Sequence, residues 1–284
     1  NNKLGIGMGV RATMEDKGIR LSLMDREAVL GYKQFTVNDS NYVFMGDDRR
    51  VRADLRLRST DGTGIQLATN NENEEALQDI TLSLNRLNLE KLFSVLPYMP
   101  EVSGTLNGDF HAIQTKDALS ISSAVSVTDL AYQHSPMGNL SSEFVYMPKS
   151  DGGHYIDGTL SQNDIQVGQL SGTYNSARGG QLDATLKLLT IVNGFVPQRI
   201  FGLNGYAEGE LAIKGALSKP MINGEVFLDS THLFSDPYGV TLRFANDPVR
   251  IVNSHLLFEN FEVFAHNDSP LNISGEFDFS NPDR

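Results

Sequence analysis

The residues that could do chemistry are few and scattered. Histidines stand at His111, His134, His154, His232, His255 and His266. No two keep the H-E-x-x-H spacing that would turn paired imidazoles onto one helix face for zinc. His134 and His232 lie beside turn-forming stretches, which favours a structural role. Asp47-Asp48 and Glu74-Glu75 offer carboxylates, but the ligand spacing of an EF-hand loop is absent. Gly5-Ile6-Gly7-Met8-Gly9 has the composition of a phosphate loop. It lacks the closing glycine, and strand-like sequence follows where a helix should begin. No G-x-S-x-G elbow presents a serine nucleophile. Cysteine is missing altogether, which removes disulfides, thiolate metal sites and cysteine nucleophiles together. The expectation is a chain with no catalytic residues, no metal site and no cofactor.

Composition bounds the partners. The 284 residues are 40% hydrophobic and 20% charged, with a net charge of -12. Nucleic-acid binding needs a cationic surface, so that class is excluded. The one compact basic stretch, Asp48 to Arg58, alternates charge with apolar residues and reads as the wet face of a strand. No run of about 20 residues is apolar enough to span a bilayer. Strand-like pattern continues through Leu271-Asn272-Ile273-Ser274-Gly275-Glu276-Phe277-Asp278-Phe279, so a fragment of a longer protein is expected.

Elements must position whatever function there is, and period-2 alternation dominates them. Val51, Ala53, Leu55 and Leu57 point one way while Arg52, Asp54, Arg56 and Arg58 point the other. The pattern returns at Ile80, Leu82 and Leu84, at Ile121, Val125 and Val127, at Leu182, Ala184, Leu186 and Leu188, at Val226 and Leu228, and at Ile273 and Phe277. These are half-buried antiparallel strands. Asp61-Gly62, Asn107-Gly108, Asp151-Gly152, Asn204-Gly205 and Asn223-Gly224 read as turns between them. One stretch differs. Leu89, Leu92, Phe93 and Leu96 follow helical spacing, with Asn88 as N-cap and Pro97 as exit, so a short helix is predicted over 88–97.

The chain also repeats. Gly104 falls on Gly205 at an offset of 101 residues (205 − 104), and Gly108 falls on Gly209 at the same offset. Val125 then meets Val226, Val127 meets Leu228, Pro136 meets Pro237, and Gly138 meets Gly239. Residues 40–140 and 141–241 are read as β-groove repeat units, with a partial unit at 1–39 and the start of another at 242–284. The helix of the first unit corresponds loosely to Val192–Phe201. A register kept by Gly, Pro and apolar positions implies a structure that grows along one axis.

Such a sheet cannot stay flat, because strand twist makes long sheets curl, split or close. Too few helical segments exist to cover its apolar face. The fold class expected is all-β: a long, twisted and curled antiparallel sheet forming a groove, with an apolar interior and one or two short helices.

Two sequence blocks carry a family resemblance. Leu87-Asn88-Leu89-Glu90-Lys91-Leu92-Phe93-Ser94-Val95-Leu96-Pro97-Tyr98-Met99-Pro100 runs into Val102-Ser103-Gly104-Thr105-Leu106-Asn107-Gly108. Gly205 and Gly209 are followed by Pro220 and Gly224. Together they resemble the TamB-like, AsmA-like proteins of Gram-negative envelopes, in which G-x-x-x-G and P-x-(hydrophobic)-x-G mark successive strand groups. The first copy departs from the motif, with Leu119 and Ser123 at the later positions. The resemblance implies a periplasmic segment anchored in the inner membrane through sequence absent here. It implies an apolar β-groove (β-taco-like) associated with phospholipid transport between membranes. It also implies an Omp85-type barrel and client barrel proteins as partners, and no catalytic residues. Scaffolding of outer-membrane protein assembly by strand pairing is the alternative reading, and a surface adhesin-like β-repeat a further one.

Overall fold

Alternating apolar and polar residues form strands wherever a neighbouring strand can cover one face. The computed structural model describes residues 4–24, 27–72, 75–132, 135–175, 181–191, 202–216, 219–265, 269–278 and 280. Among them lie 21 strands. The expected Val192–Phe201 segment, His134, His266, Glu74 and Phe279 lie outside the described residues. Two compact units are present: residues 1–131 with 138–146, and residues 132–137 with 147–284.

The first unit contains β1 (Ile6–Gly7), β2 (Val10–Glu15), β3 (Gly18–Leu23), β4 (Glu27–Leu30), β5 (Lys33–Val37), β6 (Tyr42–Gly46), β7 (Val51–Arg58), β8 (Gly64–Thr69), β9 (Gln78–Asn88), α1 (Leu89–Phe93), β10 (Val102–Gln114) and most of β11 (Leu119–Tyr132). β12 (Ser135–Pro148) belongs to both units. β7 is the hub. One edge leads through β8 and β9 to β10, all antiparallel. The other edge forks. Val51 to Asp54 take β6, which continues to β3 and β2, whereas Leu57 and Arg58 take β5, which continues to β4 and β1. Two asparagines hold the fork. The Arg56 N–H donates to Asn38 Oδ1 at 2.9 Å, and Asn38 Nδ2 donates to the Asp54 carbonyl at 3.2 Å. Asn41 pairs through its amide with the Leu23 backbone at 2.7 and 3.2 Å. Side chains that satisfy backbone groups let two branches leave one strand edge without orphaned donors.

α1 is shorter than the predicted 88–97. Asn88 caps it as expected, accepting from the Lys91 N–H at 2.9 Å. The helix ends at Phe93, and the Leu96 N–H turns back to the Phe93 carbonyl at 3.0 Å. Helical spacing of leucines therefore overstates the element, because a tight turn already consumes the donor before Pro97. Leu89 is buried where α1 meets β9 and β10.

The second unit runs as neighbouring antiparallel strands: β13 (His154–Gln162), β14 (Ile165–Asn175), β15 (Gln181–Ile191), β16 (Gly202–Ala216) and β17 (Met221–Ser235). β18 (Val240–Phe244) and β19 (Pro248–Val252) both pair with β17 and with β20 (His255–Phe264). They are two halves of one interrupted strand, and across the gap Ala245 still donates to the Glu262 carbonyl at 2.8 Å. β21 (Pro270–Asp278) pairs with β20. A 3-10 turn, Asp236–Tyr238, precedes β18.

Three expected turns are not turns. Asn107-Gly108, Asn204-Gly205 and Asn223-Gly224 lie inside β10, β16 and β17. Asparagine here serves a neighbouring strand instead. Asn107 Oδ1 accepts the Arg86 N–H at 3.0 Å, and Asn223 Oδ1 accepts the Asn253 N–H at 2.8 Å. Asp61-Gly62 and Asp151-Gly152 do form turns, with both glycines at positive φ.

Bulges explain the asparagines. Arg86, Asp129, Ser230 and Asn260 all have left-handed φ, between 49° and 54°. Each N–H is capped by a side-chain oxygen from the chain that runs alongside: Asn107, Asn139 and Ser274 in the following strand, and Asn246 in the gap between β18 and β19. In the second unit Gly205, Ser230, the gap at 245–247 and Asn260 lie side by side, forming a crease across β16 to β21. An extra residue bends its strand and sharpens the twist. Backbone conformation follows the 101-residue offset of the sequence. φ is +133° at Gly104 and +138° at Gly205, 51° at Asp129 and 49° at Ser230, and 76° at Gly138 and 61° at Gly239. Pro136 lies in β12, whereas Pro237 lies in the 3-10 turn. The Pro220 carbonyl, just before β17, accepts from Ser254 Oγ at 3.3 Å.

Candidate functional site

The strand register sorts each unit into one apolar and one polar face. In the second unit one row reads Gly158, Leu170, Leu186, Leu211, Gly224, Ile251, Leu256 and Phe277, one residue per strand. The row beside it reads Leu160, Gly168, Leu188, Gly209, Val226 and Val249, and the one on its other side Ile156, Gly172, Ala184, Ile213 and Ile222. The opposite face carries Asp157, Ser171, Thr185, Ala212 and Asn223 in register. In the first unit Leu57, Ile65, Leu84 and Gly108 share a row, as do Leu55, Leu67, Leu82 and Phe110, and Ile80 opposes Ala112. Val51 continues to Met45, Ile19 and Met14, and Ala53 to Val43, Leu21 and Ala12. Val125 and Val127 join this face beside Gly108 and Gly104, within 3.6 and 2.8 Å of where a Cβ on each glycine would stand.

Coverage of these rows is uneven. Ala28, Phe35, Val37 and Leu57 form a filled core at the fork, with Leu55 and Ile65 packed against it. Val249, Phe261 and Val263 form another, with Leu228, Phe244, Leu256 and Phe258 around it. Ala53 and Ala184 are also buried. Away from these cores the rows are only half-buried: in the first unit Val51, Ile80, Leu82, Leu84, Ile121, Val125 and Val127 retain access to solvent, and in the second unit Leu182 and Val226 do. Ile273 and Phe277 are exposed.

Glycine curls the apolar side of the second unit. Gly172 lies directly opposite Ala184, and a Cβ on Gly172 would lie 2.7 Å from the Ala184 Cβ. Opposed Cβ atoms in an ordinary sheet are about 4.5–5.5 Å apart. Gly209, opposite Val226, would likewise meet its Cα at 3.0 Å. Strands that converge on one face make that face concave, so β14 to β17 bend toward the apolar rows.

Charge sits on the other side. Arg20 stacks 4.5 Å over the Tyr42 ring, and Arg20 and Arg52 both cover Phe44 at 5.7 and 5.8 Å. Arg52 pairs with Asp48 at 2.9 Å and Arg56 with Asp54 at 3.0 Å, so the basic stretch is a solvated outer face. His111 Nε2 lies 2.8 Å from the buried Asp79 carboxylate. No cluster of His, Asp or Glu able to hold a metal occurs among the described residues. None of their helices is long and apolar enough to cross a membrane.

Asp61 is the most perturbed acid. Hydrogen bonds from the Lys33 ammonium at 2.6 Å and from the Thr63 N–H hold its carboxyl far below the usual range. A depressed folded pKa stabilises the fold above the ordinary carboxylate value of about 3.9, and that contribution is lost as pH falls toward the folded value. Asp61→Asn is expected to flatten the acid limb of a plot of urea midpoint against pH. An acid limb unchanged from the parent would overturn the assignment.

No family model, curated protein or solved structure matches the chain. Among the described residues the fold is a long antiparallel sheet with one short α-helix, an architecture compatible with a β-groove. The residues not anticipated from alternation are those beyond each bulge, such as Phe261 and Val263, and the row members Leu170, Leu211, Ile251 and Leu256.

Proposed function

We propose that this chain is a passive segment of a TamB-like, AsmA-like envelope protein whose curled apolar face carries phospholipid acyl chains across the periplasm. The observation that carries this reading is the set of apolar rows that cross strand after strand, are bent concave by glycine, and are half-covered by the chain's own side chains. A 16-carbon acyl chain drawn into water loses about 12 kcal/mol, at roughly 0.8 kcal/mol per methylene. A continuous apolar surface removes most of that barrier without tight binding. The outer face, with its stacked and ion-paired arginines, keeps such a conduit wet on one side. The reading is non-enzymatic, with an inner-membrane anchor outside this sequence.

Mass spectrometry of organic extracts tests it. The purified chain is expected to retain phospholipid, and the double variant Leu82→Glu with Val125→Glu to retain at least about tenfold less. Those positions are half-buried, so the variant should still fold. A lipid-free parent chain, or equal lipid in both, overturns the reading. A second reading, scaffolding of barrel clients or an Omp85-type partner by strand pairing, is favoured by β2 and β21. Both are exposed along their whole length, as a strand template would be.

A further inference from the structure

The first unit carries an exposed apolar surface around the exit of α1 and the start of β1. Leu96, Tyr98 and Met99 project from the α1 exit, exposed by 45%, 104% and 43%. Beside them stand Leu4, Ile6 and Tyr32, exposed by 63%, 40% and 46%. The two groups meet at Gly5. Its carbonyl accepts the Tyr32 N–H at 3.1 Å, and an added Cβ there would lie 2.6 Å from Val95 and 3.2 Å from the Tyr32 ring. Tyr32 has φ of 61° because it follows Gly31, at 58°, in the two-residue turn between β4 and β5, where both central positions are left-handed. Tyr98 has φ of 62°, a conformation that bulky residues rarely adopt.

We propose that this tip docks the protein on the surface of a zwitterionic lipid bilayer, with the Tyr98 ring inserted at the interface and Leu96 and Met99 flanking it. Three observations favour a bilayer over a protein partner. Tyr98 is as exposed as a free side chain, and a fluid surface accepts a projecting ring that a protein must meet with a matched pocket. Its backbone is already poor in free donors: Pro97 and Pro100 have no N–H, and that of Leu96 is bonded to Phe93. Unsatisfied donors are what bars irregular chain from the acyl region. The tip itself is uncharged, flanked by Glu90, Lys91 and Glu101, and a chain of net charge -12 is repelled by anionic lipid. Tyrosine, with an apolar ring and a polar tip, is enriched at that interface. Docking goes beyond the conduit reading, since a surface can hold a bilayer whether or not lipid moves along the rows.

The absence of tryptophan gives a clean probe. Tyr98→Trp in the full chain supplies a single indole. Phosphatidylcholine vesicles are expected to shift its emission to the blue, and vesicles with brominated acyl chains to quench it. Adding Leu96→Ser and Met99→Ser should weaken partitioning by at least about tenfold, with circular dichroism unchanged because both side chains are already exposed. An emission spectrum indifferent to vesicles overturns the proposal. So does a blue shift produced by raising protein concentration alone, which would mark a protein-binding surface. Lipid in extracts of chain never exposed to vesicles tests the conduit reading separately, so either can fail alone.

Discussion

Gly205→Val is expected to cost about 3–5 kcal/mol, enough to unfold the second unit or nearly so. Two effects add. The backbone at Gly205 has φ of +138°, a region that β-branched residues avoid. A Cβ there would also lie 2.4 Å from Thr231 Oγ1 and 2.5 Å from its Cα, and Thr231 is buried. Backbone cannot yield as a side-chain tip can. Gly275→Ala is the control. Nothing lies within 4 Å of the added atom and its φ is not left-handed, so stability should change by less than about 1 kcal/mol. Urea denaturation of the full chain reads both. A Gly205→Val midpoint close to the parent would mean that the crease can relax.

The contrast between filled and half-covered rows gives the second large effect. Phe261→Ala should cost about 3–5 kcal/mol. Phe261 is 4% exposed and its ring lies 6.0 and 5.8 Å from those of Phe244 and Phe258, so truncation leaves a cavity that strands β17 to β20 hold open. Val125→Ala removes two methyl groups from a half-buried site and should cost about 1 kcal/mol or less. Measured side by side in urea, the two should differ severalfold. Equal losses would mean that the row at Val125 is packed as tightly as the core around Phe261, which would leave no room there for a ligand.

Much of this architecture is legible in the alternation of residues. Val51 to Leu57 announce β7, and their polar partners do stack or pair on the outer face. The all-β class, the Asn88 cap and the 101-residue register follow from local patterns that need no long-range information. The fork at β7 does not. It depends on amides of Asn38 and Asn41 reaching backbone far along the chain, and asparagine reads only as a turn former in a sequence. Asn107-Gly108 and Asn223-Gly224 mislead for the same reason. The filled end of the second unit was hidden by phase. In β20 the inward residues are Leu256 and Phe258 before Asn260, then Phe261 and Val263 after it, so a strict period of two assigns one pair to the wrong side.

That shift of phase gives the crease a consequence for how such a chain can vary. Alternation is a two-letter code read along each strand, and a one-residue insertion would ordinarily put every later side chain on the wrong side. At Ser230 or Asn260 the frame already changes by one, with an asparagine or serine from the neighbouring chain segment closing the spare N–H. Loss of the extra residue, paired with a gain further along the same arm, restores the frame beyond both changes. Strands of this family of shapes can therefore lengthen and shorten by single residues at the crease, where a flat sheet would tolerate change only in its loops.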